Sequence, residues 1–144
     1  VGSIDIANPE SISVSELDKL KKDPNIEIIE NSNNLLKIIN ESKIIVLPSY
    51  REGLPKVLLE AAACERVVVT TNVPGCKDVV IDNITGKIAK PRNIYDLSNK
   101  IDFLINKQDK LFSMGIMARK HVQLNFSLEY VVKSHLNLYE EMLG

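Results

Sequence analysis

The chain has 144 residues, long enough for one domain with a real core and barely long enough for two. Hydrophobic residues make up 44% and charged residues 26%, the balance of an ordinary globular protein, and the net charge is −1 with Lys and Arg scattered. That scatter gives no basic nucleic-acid surface, and no apolar run approaches the roughly 20 residues needed to cross a bilayer.

In chain order, Val1-Gly2 reads as the end of a strand already under way, so a fragment cut on its amino-terminal side is expected. Ser13 can cap a helix, Glu16 stands at the capping-box position, and Ile12 can staple against Leu17. Asp23-Pro24-Asn25 should stop that helix, and a short strand is expected over Ile26 to Ile29. A second helix is expected from Asn33 to Asn40. The continuous β-branched run Ile44 to Leu47 then predicts a strand covered on both faces. Pro48 to Leu54 is a loop, and Pro55 suits the first position of a helix that runs to about Cys64.

Arg66 to Thr70 predicts a further buried strand, Val73 to Cys76 a turn, and Asp82 to Gly86 a second turn into Lys87-Ile88-Ala89. From Asn93 onward apolar spacing predicts three helices, the last capped by Ser127. Strands alternating with helices imply an α/β fold, a Rossmann-like, doubly wound parallel sheet with helices on both faces and a helical tail, in one domain spanning 1–144. Ligands of such sheets bind beyond the carboxyl ends of the strands, which directs attention to the loop after Leu47.

In that loop Gly53 lets backbone approach a ligand, and the helix that follows offers unpaired N–H groups and a positive dipole end, a geometry that fits phosphate. The same Gly-x-Pro pattern also serves as a plain strand-to-helix turn. Glu60 is the only polar residue between Val57 and Cys64, on a helix apolar nearly all round. A carboxylate there needs partners. Two readings stand open: a surface ion pair with Lys56, or acceptance of hydrogen bonds from a ligand's hydroxyls. Glu52 has the same choice between easing a helix N-terminus and touching a polar substrate.

Glu52-Gly53-Leu54-Pro55 followed by Glu60 resembles the E-x7-E signature of family-4 glycosyltransferases, which have the two-domain GT-B fold. Val46 to Pro55, Leu58 to Ala61, Val73 to Cys76, Asn83 to Gly86 and Phe126-Ser127 resemble that family in the same order. The resemblance implies the carboxyl-terminal domain, which holds a nucleotide-sugar donor, usually a UDP-sugar. It implies that Glu60 binds the ribose hydroxyls and that Glu52 contacts the donor sugar as the residue nearest the chemistry. Backbone around Gly53, Leu54 and Pro55 would approach sugar and diphosphate, Gly75 would line the sugar side, and residues 28–31 would neighbour the base.

The reaction implied is transfer of a sugar to a glycan or glycolipid acceptor with retention, without cofactor or metal, in the cytoplasm or at the inner face of the membrane. A nucleotide-sugar epimerase of related fold and a non-catalytic interaction module are the competing readings. Glu65 stands where the family usually has Gly, so a left-handed backbone there would cost about 1 kcal/mol. The family's phosphate-binding Arg and Lys have no counterpart in this sequence. Without a further strand beside it, Ile44 to Leu47 is expected to leave an apolar edge through which chains self-associate. His121 and His135 have no catalytic partner at useful spacing, and Cys64 and Cys76 read as free thiols.

Overall fold

Two units, Val1–Leu35 and Leu36–Gly144, divide the chain in a computed structural model that describes residues 1, 2, 11–30 and 32–144. In the first, Ser13 caps α1 (Val14–Leu20) and the full capping box forms: its side chain accepts from the Glu16 N–H, and Glu16 Oε2 accepts from the Ser13 N–H at 3.0 Å. Beyond the helix, Asp23 Oδ1 accepts from the Asn25 N–H at 2.9 Å, the local bond that turns the chain.

The strand expected over residues 26–29 is not formed. Among the described residues the segment carries no secondary-structure ladder; the Gly2 N–H donates to the Ile29 carbonyl at 3.0 Å and the Ile26 N–H to the Asp23 carbonyl at 3.1 Å. A strand exists only as one side of a ladder, and an apolar tetrapeptide cannot supply the other side.

The second unit is built on three parallel strands in the order β1 (Ile44–Leu47), β2 (Val67–Thr71), β3 (Gly86–Ala89). Ile44 stands opposite Val67, and Val68 opposite Gly86. Around them lie α2 (Leu35–Glu41), α3 (Lys56–Ala63), α4 (Cys76–Val79), α5 (Ile94–Asn106), α6 (Gln108–Asn125) and α7 (Leu128–Leu143). The architecture is the α/β parallel sheet that the alternation of elements predicted. Pro55 takes the N-cap of α3 rather than its first helical position.

Coverage on both faces holds for β2, whose five residues are all buried. It fails for β1: Val46 is 39% exposed, and among the described residues β1 pairs only with β2. The alternating side chains of β2 explain the difference, because each face meets a helix. Val67 and Val69 pack with Leu104 of α5 and Met114 of α6, while the opposite face of β2, which carries Val68 and Thr70, lies against α4.

The end of α3 fixes where the rest of the sheet layer sits. The Arg66 N–H donates to the Ala61 carbonyl at 2.9 Å and the Glu65 N–H to the Ala62 carbonyl at 3.0 Å, the paired bonds of a Schellman cap. Such a cap needs a left-handed residue between its bonds, and Glu65 has φ +58°, as its place in the sequence foreshadowed. α6 then packs so closely that a Cβ at Gly115 would lie 2.2 Å from the Glu65 carbonyl oxygen. Ser127 caps α7 as predicted, accepting from the Tyr130 N–H at 3.2 Å, and α7 buries no residue. Among the described residues no helix is long and apolar enough to cross a membrane.

Candidate functional site

β2 outruns β1 by one residue at the carboxyl end of the sheet, since Leu47 is opposite Thr70 and Thr71 has no β1 partner. Its threonine hydroxyls take over where the ladder stops. Thr70 Oγ1 donates to the Leu47 carbonyl at 2.8 Å, and Thr71 Oγ1 donates to the Ser49 carbonyl. Both threonines are buried, and a buried hydroxyl must find an acceptor. The loop after β1 is therefore fastened to the best-covered strand of the sheet.

Within the loop, Ser49 Oγ donates to Glu52 Oε1 at 2.6 Å, both residues being half-buried. The Arg92 guanidinium lies 4.6 Å from the centre of the Tyr50 ring, within range of a cation–π contact. Arg92 has a left-handed backbone, φ +57°, in the connection between β3 and α5. A cleft of about 220 Å³ opens here, lined by Pro48, Tyr50, Thr71, Lys90, Arg92 and Asn93.

Past Glu52 the backbone N–H groups of Gly53, Leu54, Lys56 and Val57 have no acceptor among the described residues. Pro55 has no side chain that can cap, so these amides remain available at the positive end of α3. Gly53 and Leu54 are exposed, whereas Pro55 is buried beneath them.

Gly75 closes the same group of residues from the neighbouring loop. Its φ is +80°, and a Cβ placed on it would stand 1.7 Å from the Gly53 oxygen and 3.0 Å from the Glu52 oxygen. Only glycine fits that position. The Gly75 N–H donates to Asp78 Oδ2 at 3.0 Å. Next to it Cys76 is fully buried; burial pushes its thiol pKa up, a hydrogen bond with Thr70 pulls it down, and the charges of Glu52 and Asp78 push it up further. A thiol held protonated in this way is a packing group, as the sequence indicated.

Glu60 lies elsewhere on α3, half-buried and lining a separate cleft of about 300 Å³ with Leu59, Ala63, Val122, Phe126 and Ser127. No hydrogen bond or ion pair engages its carboxylate among the described residues, and the ion pair with Lys56 is not formed. The walls of this cleft are mostly carbon, so the protein itself offers the charge little compensation. The structure thus brings Glu52, Gly53, Leu54, Pro55 and Gly75 together and sets Glu60 apart. Of residues 28–31, Ile28 and Ile29 are half-buried, and Asn31 lies outside the described residues.

Ser49, Thr71 and the Tyr50–Arg92 pair do not stand out from spacing alone. A signal was present for the threonines, because two hydroxyls closing the apolar run Val67-Val68-Val69 have to be satisfied by something beyond the ladder.

The sequence matches the family described as glycosyl transferases group 1 over residues 9–121. It is 32% identical over 143 residues to the capsular polysaccharide biosynthesis glycosyltransferase CapM of Staphylococcus aureus, covering 99% of this chain and 37% of that protein. A crystal structure of a glycosyltransferase from Rickettsia africae ESF-5 superposes with a TM-score of 0.80 at 29% identity, covering 90% of this chain and 35% of that one. A TarM variant from S. aureus, crystallised with fondaparinux, alpha-GlcNAc-glycerol and UDP, gives 0.79 at 25% identity, with 87% and 26% covered. The chain spans about a third of the length of the first two, so the shared part is one portion of a larger enzyme in each of them. On the strength of that match, extending over most of its residues, the chain belongs to the glycosyl transferases group 1 family.

Proposed function

We propose that the chain is the donor-binding portion of a retaining glycosyltransferase of family 4, acting on a UDP-sugar. The observation that carries this reading is Glu60: a half-buried carboxylate in a carbon-lined cleft, with no protein partner among the described residues. Two ribose hydroxyls would supply the hydrogen bonds that such a group requires. On this reading the unpaired amides of Gly53, Leu54, Lys56 and Val57 would meet the diphosphate, and Glu52 and Gly75 would meet the sugar. UDP is present in the TarM crystal, which supports that nucleotide.

In the reaction, the bond between the anomeric carbon and the diphosphate oxygen breaks. A bond from the acceptor hydroxyl oxygen forms on the same face, and the hydroxyl proton passes to the departing diphosphate oxygen. Oriented amides stabilise the departing diphosphate, whose negative charge grows as the bond lengthens. Glu52 acts by binding and by its charge beside the electron-poor sugar carbon. The acceptor would be a glycan or glycolipid, a reading supported by the capsular polysaccharide role in CapM's name. No metal or cofactor is assigned to the site. Among the described residues β1 has a ladder partner only in β2, which supports self-association of the chain through that strand's other side; a clean monomer in light scattering at concentrations used for crystallisation would overturn this.

A donor screen in the full-length enzyme tests the main reading. Glu52→Gln and Glu60→Gln should each lower kcat/KM at least tenfold, with nucleotide affinity falling chiefly in Glu60→Gln. Unchanged UDP affinity in Glu60→Gln would remove the ribose assignment.

A further inference from the structure

We propose that Ser49 is the positioning residue for Glu52, and that Thr71 holds Ser49 in place from β2; this rests on the reading of Glu52 as a ligand of the donor sugar. Ser49 Oγ donates to Glu52 Oε1 at 2.6 Å, and Oε2 takes no bond among the described residues. One carboxylate oxygen is anchored and the other is left for a sugar hydroxyl. A glutamate side chain has three rotatable bonds, and fixing it on binding would cost affinity. The serine bond fixes it beforehand.

The anchor is itself braced. Thr71 is buried at the end of β2, and its hydroxyl donates to the carbonyl of Ser49, holding the serine backbone against the sheet. Gly75 lies under the carbonyls of Glu52 and Gly53 and limits the loop from the opposite direction. The chain of contact runs from β2 through Thr71 and Ser49 to Glu52, with a hydrogen bond at each step. Hydrogen bonds to charged groups are the stronger kind, so removing the serine hydroxyl should be felt at the sugar.

The test is calorimetric titration of UDP, UDP-glucose, UDP-N-acetylglucosamine and UDP-N-acetylgalactosamine into the native protein and five variants. These are Ser49→Ala, Ser49→Thr, Thr71→Val, Glu52→Gln and the double variant Ser49→Ala/Glu52→Gln. The quantity read is the affinity for the best nucleotide-sugar relative to UDP. Ser49→Ala should lower that ratio roughly fivefold to tenfold with UDP affinity unchanged. Ser49→Thr, which keeps the hydroxyl, should restore it to within about twofold, and Thr71→Val should fall between. The double variant should lose no more than Glu52→Gln alone, because the serine works through the glutamate.

If Glu52→Gln lowers the ratio and Ser49→Ala does not, the positioning role is wrong and the reading of Glu52 survives. A Ser49→Ala protein that loses UDP and nucleotide-sugar equally would show a merely structural serine and overturn the proposal. An unaltered ratio in Glu52→Gln, or native protein that binds none of the four compounds, would sink the donor-sugar reading and the positioning proposal together.

Discussion

The two ends of the sheet are built to different tolerances. At the carboxyl end, Gly75 in the loop after β2 occupies a place where a side chain would strike the backbone of the loop after β1, and buried hydroxyls are satisfied by the carbonyls of Leu47 and Ser49. At the amino end, Glu65 sits at φ +58° where glycine would be unstrained, and Arg66 Nε is buried without a hydrogen-bond partner among the described residues. Lys87 is buried there too, its Nζ 3.8 Å from the centre of the Phe103 ring and 2.5 Å from Asn83 Oδ1. Burial pushes the Lys87 pKa down, partly offset by the Asp82 charge, while Lys100 and Lys110 push it down further. Small stability costs are tolerated where only packing is at stake, and are absent from the loop where a ligand would have to be met accurately.

The contrast can be broken by substitution, beginning with the largest effect. Gly75→Ala should lose about 4 kcal/mol of stability in urea unfolding, combining a disfavoured backbone with an overlap against the Gly53 oxygen. A loss under about 1 kcal/mol would show the loop to be as forgiving as the far end. Glu60→Gln should weaken UDP binding by about 2 kcal/mol in calorimetry while leaving the urea midpoint in place, since no protein partner is lost.

At the amino end the same logic predicts gains. Lys87→Met should stabilise the protein by about 1 kcal/mol at pH 7, because an apolar isostere removes an enclosed charge. The sign with pH is fixed by linkage. A lysine whose pKa is lowered on folding holds its proton less tightly in the native state, so native stability rises as pH approaches the ordinary lysine value near 10.5. The advantage of Lys87→Met should therefore shrink as pH is raised from 8 towards 10 in paired denaturation curves, and an advantage that grows would refute it. Smallest is Glu65→Gly, worth about 0.5 kcal/mol: relief of the left-handed backbone less the exposed pair with Arg119, whose nitrogen is 3.5 Å from Glu65 Oε1. A destabilised Glu65→Gly protein would mean that the strain at this turn is compensated elsewhere.

Local chemistry was readable wherever it was written within a few residues. The Ser13–Glu16 box, the Ser127 cap and the β-branched strand at Val67 were all visible in sequence, because each needs only its own segment or burial on both sides. Residues 26–29 misled, because β-like composition says nothing about whether a partner strand will lie alongside. The site was half legible. Glu52, Gly53 and Gly75 stood out through their place in an ordered motif, and Glu60 through its oily surroundings. Ser49, Thr71 and Arg92 did not, since the contacts that make them matter join positions 22 residues apart in one case and 42 in another, on loops that adjoin only once the parallel register is set.

The tie between Thr71 and the Ser49 carbonyl has a kinetic consequence. A loop joined to the innermost strand can swing away only when that strand's end also loosens, so its motions borrow the strand's long lifetime. Deuterium uptake around residues 48–53 should then be slow for so exposed a stretch, and Thr71→Val should quicken it without changing uptake in α7. The binding surface would be ready before its ligand arrives.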